Sequence, residues 1–239
     1  IAFRYLRSKR SEGFISIIAG FSLVGIILGV ATLIIVMSVM NGFRAELIGR
    51  ILGLNGHIGI YENQNNFLNY DEFSVGVAEI PGVKAVTPQI EGQGLIVYNN
   101  NSSGIIVRGV RWSDLSARKQ LWNSIGNKEI ESFNNNGIII GHRLAKKLNI
   151  QNNDDVFILT PQLRVTAFGS IPKQKKFKVI QTFDVGMFEY DSSFVFMSLA
   201  DAQSLYGYDK NNTISNLEVY LNSTDDIALI KNKLLEISD

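Results

Sequence analysis

The longest apolar stretch in the sequence, FISIIAGFSLVGIILGVATLIIVMSVM, runs from Phe14 to Met40 without one Asp, Glu, Lys, Arg or His. Its 27 residues exceed the roughly 20 that a helix needs to cross a hydrocarbon core about 30 Å thick. A buried core helix keeps a polar side and rarely runs this long, and a signal peptide would be shorter and end at a small-residue cleavage site. The pattern therefore predicts a transmembrane helix over residues 14–40. Two seven-residue series, Ser22, Gly29, Val36, Phe43 and Ile26, Leu33, Met40, Leu47, together trace one stripe along it. The stripe persists past Asn41 into NGFRAELIGRILGL, where polar Arg44, Glu46 and Arg50 are expected off it. One helix face should thus run from the span into a stalk over residues 41–54. Gly25 and Gly29, four apart, would let another helix approach closely.

Beyond the stalk the period changes. Runs rich in β-branched residues predict strands over 57–61, 83–86, 94–98, 105–110, 137–140, 156–160, 175–183, 194–197 and 216–221, several showing the alternation of a half-buried strand, as Phe177 and Val179 do against Lys176 and Lys178. Helices are expected from 69 or 70 to 80, with Asn69 as N-cap and Pro81-Gly82 as stop, and over 142–148, 199–206 and 225–237. Strands and helices mix without a repeat, which predicts an α+β domain from residue 55 to 239. Asn-rich patches at 63–66, 99–101, 134–136 and 211–212 mark its loops. One connection breaks the rule that loops are polar. PQLRVTAFGSIPKQ, between the strands ending at Thr160 and starting at Lys175, sets Leu163, Val165, Phe168 and Ile171 around Gly169 and Pro172. It is either a protruding hairpin or loop whose apolar tip docks a partner, or a hairpin folded back on its own domain; Lys173, Lys175, Lys176 and Lys178 would give it a basic rim or simply a solvated strand face.

Charge orients the helix. Before it lie Arg4, Arg7, Lys9 and Arg10 against Glu12; after it come 19 basic and 21 acidic residues. Positive charge marks the cytoplasmic side, so the N-terminus is expected inside and residue 41 onward outside the cytoplasm. IAFRYLRSKR sets Ile1, Phe3 (or Ala2), Tyr5 and Leu6 among arginines, which suits a short helix in the headgroup layer over residues 1–13, the alternative being a plain disordered basic flank. The overall net charge of +1 excludes the basic field of a nucleic-acid binder. The absence of cysteine excludes disulfides and thiolate chemistry, and leaves the compartment open. Mean hydropathy, +0.10, averages three unlike parts and describes none of them. A first residue of Ile is expected of a chain trimmed from, or numbered within, a longer protein.

Catalytic constellations do not emerge. His57 and His142 are 85 residues apart and read as structural or surface residues; there is no nucleophile elbow around a serine and no Gly-rich phosphate loop ending in Lys-Ser or Lys-Thr. The pairs Asp154-Asp155 and Asp225-Asp226 are adjacent in sequence and so diverge in either strand or helix. No metal site, bound cofactor or enzyme activity is expected on this chain.

Several segments together resemble one family. FRYLRSKRSEGFISIIAGFSLVGIILGVATLIIVMSVMNGFRAELIGRILGL resembles the opening of the LolC/LolE-type membrane subunits of the bacterial lipoprotein-releasing ABC transporter. TPQLRVTAFGSIPKQKKFKVIQTF followed by SSFVFMSLADAQSLYG is similar to the hook and flanking strands of the LolC-like members. The resemblance implies an inner-membrane protein with a cytoplasmic N-terminus and a periplasmic part of two α+β subdomains, in the architecture shared with MacB-type mechanotransmitters. It implies that Arg4, Tyr5, Leu6 and Arg7 form an interfacial elbow and that Val36, Met40, Phe43 and Leu47 line a cavity for lipoprotein acyl chains. It also implies a hook made of Gln162, Leu163, Arg164, Val165, Thr166, Ala167, Phe168, Gly169, Ser170, Ile171, Pro172, Lys173 and Gln174, docking a LolA-like periplasmic carrier. ATP and Mg would be bound by a separate LolD-like ATPase, and the second membrane subunit would be LolE-like or a second copy of the chain. The other partners implied are lipoprotein substrates and membrane lipid, with no nucleic acid. The family has four transmembrane helices where this sequence has one, so a fragment of such a subunit, or an interrupted product, is expected. The alternatives are a MacB-type efflux or FtsX-type permease, which would lack the hook, and a single-pass sensor with a periplasmic ligand-binding domain.

Overall fold

The apolar run folds as one helix, α1 (Gly13–Leu52), in a computed structural model that describes residues 13–61, 69–125, 130–166 and 169–238. The chain divides into two compact units, Ile1–Gly49 and Arg50–Asp239. In the first, no proline interrupts the helix, and its one threonine hydroxyl, Thr32, donates to the Leu28 carbonyl at 2.8 Å. That bond satisfies the hydroxyl inside the helix, as a lipid environment demands. The helix continues unbroken past Met40 and stops at Leu52, two residues before the expected end of the stalk. Gly53 follows, and Asn55 closes the end: its backbone N–H and its Nδ2 both donate to the Ile51 carbonyl, at 3.0 and 3.1 Å.

Among the described residues the second unit has eight strands, β1 (Ile58–Tyr61), β2 (Val83–Tyr98), β3 (Asn101–Val110), β4 (Gly137–Gly141), β5 (Asp155–Thr166), β6 (Gly169–Phe183), β7 (Phe194–Ser198) and β8 (Asn216–Leu221). Its helices are α2 (Tyr70–Ala78), α3 (Lys119–Ile125), α4 (Ile130–Asn134), α5 (His142–Leu148), α6 (Phe188–Ser193), α7 (Leu199–Tyr206) and α8 (Ile227–Ser238). The strands follow the order β1-β8-β2-β3-β7-β4-β6-β5, and β5 pairs back onto β2 at Leu95–Leu159, Ile96–Ile158 and Val97–Phe157. Six strands, β2 to β5 in that order, therefore close into a ring. The other end of β2 pairs with β8, and β8 with β1, in a three-stranded sheet. Within the ring β3–β7 and β4–β6 are parallel and the remaining pairs antiparallel.

The expected α+β class with two subdomains takes this form: a ring and a small sheet sharing one strand. The gap anticipated between strands at 83–86 and 94–98 does not exist. Pro88 and the EGQG run are poor strand formers, but β8 pairs with β2 up to Gln89 and β3 takes over at Ile90, so every part of the strand has a partner. Gly92 and Gly94 are in it because the Tyr206 ring and the Leu159 carbonyl occupy the space that a Cβ would need.

Burial follows the period of the strands. Ile138, Ile140, Val195 and Met197 face one hydrophobic cluster, shared with α5 and α7; Ile139, Phe194 and Phe196 face another, shared with α3 and α4. β4 and β7 are thus covered on both sides, which explains their unbroken apolar sequence. A third cluster, Val77, Ile80, Val219, Leu221, Ile230 and Leu234, packs α2 and α8 on the small sheet. Asparagine shapes the turns: all seven described non-glycine residues with positive φ are Asn. Asn99 and Asn100 (φ 44° and 65°) make the two-residue turn between β2 and β3 that a tight hairpin requires. Asn69 is among the seven (φ 55°), so it precedes α2 but its side chain does not cap it, contrary to expectation.

Candidate functional site

The stretch read as an apolar connection is not a loop. β5 and β6 continue past the body of the sheet as a hairpin whose pairing runs from Asp155–Lys178 out to Thr166–Gly169. Strand pairing with β2 ends at Leu159, so beyond it β5 and β6 pair only with each other among the described residues. The register shifts between Thr160 and Leu163. Pro161, which has no N–H to give a ladder, sits in that irregularity, and Pro172 faces Leu163 across the strands. Gly169 has φ 116°, open to glycine alone, next to the turn.

Base and tip differ sharply. At the base, Thr160 is buried and three of the four lysines are engaged: Lys173 donates to the Ser204 carbonyl, Lys175 lies 2.7 Å from Asp201, and Lys176 lies 2.8 Å from Asp155. These lysines moor the hairpin to α7 and to its own partner strand. Lys176, though paired, and Lys178 stay exposed, as on a solvated strand face. At the tip, Leu163 is 65% and Ile171 50% exposed, beside exposed Pro161, Gln162, Gly169 and Pro172. The hairpin is therefore not folded back at these positions. Arg164, Val165, Thr166 and Ser170 lie in the paired strands, Gln174 pairs with Leu159, and Ala167 and Phe168 lie outside the described residues.

On α1, Val36, Met40, Phe43 and Leu47 fall within about 60° of one another at about 100° per residue. All four are exposed, as are the apolar residues on the other faces, so exposure does not set the stripe apart. Arg50, expected off the stripe, falls by the same geometry about 40° from Val36, at its margin. Nothing occupies the space in front of Gly25 and Gly29. The elbow residues Arg4, Tyr5, Leu6 and Arg7 lie outside the described residues.

The chain segment that follows the helix is keyed into the second unit. Leu54 is fully buried in the cluster with Phe133 and Phe183, Asn55 donates to the Tyr190 hydroxyl at 2.6 Å, and Gly53 leaves room for the Gln120 side chain. Nearby elements carry a buried polar network that sequence reading missed. Arg118 is wholly buried; its Nη2 donates to Glu218 at 2.7 Å and to Gln89 at 2.8 Å, and the Tyr220 hydroxyl donates to the same Glu218 oxygen at 2.9 Å. The network joins β2, β8 and the start of α3. Burial first, then the Glu218 charge, pushes the Tyr220 phenol well above its ordinary range. Metal-ligating side chains meet at one point among the described residues, where ligand atoms of His142, Asp184 and Asp191 lie within 4.8 Å of one another.

A helix long and apolar enough to cross a membrane thus leads into a mixed α/β domain with an extended hairpin. The chain belongs to the MacB-like periplasmic core domain family, which matches residues 19–237. It is 33% identical over 218 residues to the lipoprotein-releasing system transmembrane protein LolC of Neisseria meningitidis serogroup B, covering 88% of this chain and 51% of that protein. It is 27% identical over 214 residues to the corresponding LolE protein of Haemophilus influenzae, covering 87% and 51%. The chain thus spans about half the length of the curated relatives it matches. Among solved structures it is similar to the periplasmic region of MacB from Actinobacillus actinomycetemcomitans, at 13% identity and a TM-score of 0.48, covering 78% of this chain and 86% of that one.

Proposed function

We propose that the chain is the N-terminal half of a membrane subunit of an ATP-driven lipoprotein-releasing transporter, with its N-terminus in the cytoplasm and its α/β domain in the periplasm. The observation that carries the reading is the β5–β6 tip: an apolar surface on a self-supported hairpin, in a chain related to LolC and LolE. Exposed Leu163 and Ile171 together offer an apolar surface of the kind that marks an interaction site. The partner is a periplasmic lipoprotein carrier, and the hairpin, residues 162–174, is the element it meets. Hydrolysis of ATP with Mg belongs to a separate cytoplasmic subunit. Its strokes would reach the outer domain along α1, because the chain leaving the helix is locked into the domain core through Leu54 and Asn55. Val36, Met40, Phe43 and Leu47 would face the acyl chains, and Gly25 and Gly29 a neighbouring helix of the same or a sister subunit.

The test is site-specific photo-crosslinking from Leu163 and Pro172 in membranes of the native host. An adduct with a lipoprotein carrier is expected from both positions and none from Lys176 on the base. Absence of any carrier adduct from the tip would sink the docking claim. Recovery of an efflux adaptor instead would reassign the chain to the MacB-type branch of its family.

A further inference from the structure

We infer that His142, Asp184 and Asp191 form a binding site for a divalent transition-metal ion, of which Zn²⁺ is the best fit, at the junction of β4, α5 and the turn from β6 into α6. Three parts of the chain meet there: His142 directly follows β4, Asp184 directly follows β6, and Asp191 lies on α6. Gly141 makes the meeting possible, because any Cβ at that position would strike the Asp191 backbone.

Both carboxylates are held in the same way. Asp184 accepts from the Gly186 N–H with Oδ1 at 3.0 Å, and Asp191 accepts from the Val185 N–H with Oδ1 at 2.9 Å. Each Oδ2 is left to face the cluster. Asp184 Oδ2 lies 3.5 Å from His142 Nδ1. Asp191 is fully buried, and its Oδ2 accepts from no donor among the described residues but faces the Asp184 carboxyl group; His142 Nδ1 likewise has no hydrogen-bond partner among them. An unpartnered carboxylate oxygen away from water is costly, and a cation removes the cost. Arg143, the nearby cation, has its guanidinium over the Phe188 ring at 5.4 Å.

The chemistry selects the ion. Ligand atoms about 2.1 Å from a tetrahedral centre lie about 3.4 Å apart, close to the His142–Asp184 separation of 3.5 Å. One imidazole nitrogen with two monodentate carboxylates suits zinc better than calcium or magnesium, which take all-oxygen shells. Asp184 is exposed, so the fourth position opens to water. The bound ion would tie the β6–α6 turn to the start of α5, which makes it a structural clamp.

The experiment titrates the purified full chain in detergent, stripped of metal, with Co²⁺ and then Zn²⁺. One Co²⁺ per chain with the visible absorption of a tetrahedral site, displaced by Zn²⁺, is expected, together with a rise in melting temperature that chelation reverses. Asp184→Asn, which keeps an Oδ1 to accept the Gly186 N–H, and His142→Gln should each weaken Zn²⁺ binding by about tenfold or more, while His57→Gln should leave it unchanged. Circular dichroism of each variant separates lost binding from lost fold. No saturable binding, or binding indifferent to Asp184→Asn and His142→Gln, would overturn the assignment.

Discussion

Two places in the second unit defy the rule that charge goes outside and hydrocarbon inside, and they do so in opposite directions. Around Arg118 a charged network is buried; at the tip of the β5–β6 hairpin, apolar side chains are in water. The buried charge has its counter-charge within the chain: Arg118 pairs with Glu218, joined by Gln89 and Tyr220, while the Arg118 Nε has no hydrogen-bond partner among the described residues. The hydrocarbon at Leu163 and Ile171 is instead 65% and 50% exposed. A buried charge that lost its partner would threaten the fold, whereas an uncovered apolar tip costs the fold little and creates an opportunity for binding. The same test, whether the odd group finds its counterpart within the chain, separates the ion pair at Arg118 from the apolar tip.

Mutations should pull the two places apart. The largest loss of stability is expected from Glu218→Gln, which leaves Arg118 buried without its counter-charge and should cost about 3–5 kcal/mol in chemical denaturation. Replacing the partners together by apolar residues should recover much of it; equal damage from the double variant would mean that packing, not charge, holds this region. Next comes the mooring of the hairpin. Lys175→Ala breaks a half-buried ion pair with Asp201 and should cost about 1 kcal/mol, with faster amide exchange confined to the base of β6. No such local change would show that strand pairing alone positions the hairpin.

A smaller effect is expected from pH. Burial, and then the charge of Lys84, hold the His57 pKa below its ordinary 6.5, and His57 Nδ1 accepts a hydrogen bond from the Leu221 N–H at 3.2 Å. The folded state therefore binds this proton less readily than the unfolded chain. The stability linked to His57 is fully present above about pH 6.5 and is lost as the pH falls through the lower folded value. The denaturation midpoint should drop between pH 7.5 and 5 by less in His57→Gln than in the parent; parallel profiles would exclude the coupling. The smallest effect on stability belongs to the tip. Leu163→Asp with Ile171→Asp should change it by no more than about 0.5 kcal/mol while abolishing carrier crosslinking. A large destabilisation would mean that the tip packs on the chain itself.

Much of this fold was legible. The bounds of α5, α7 and β8 match the sequence reading to the residue, because each begins or ends on an abrupt change of period: Gly141 into His142, Ser198 into Leu199, Ser215 into Asn216. Ser198 shows the physical basis, its hydroxyl accepting from the Asp201 N–H at 3.1 Å as an N-cap. The elements over residues 112–134 were missed. A 3₁₀ segment and helices of seven and five residues are too short for periodicity to register, and tertiary packing of Leu115, Leu121 and Phe133 is what holds them. The candidate site divides the same way. The apolar composition of residues 161–174 flagged the hairpin, but its pairing, from Thr166–Gly169 back to Asp155–Lys178, is set between two strands and leaves no local period to read.

The sequence by itself determined the apolar helix, the α+β class and the family, because a charge-free run, residue periodicity and segment resemblance are local properties of the chain. Only the tertiary structure decided that β2 serves both ring and sheet, that Arg118 is buried against Glu218, that the hairpin lysines are moorings, and that His142 meets Asp184 and Asp191. Each of these joins residues distant in sequence, through pairing and packing that no local pattern encodes.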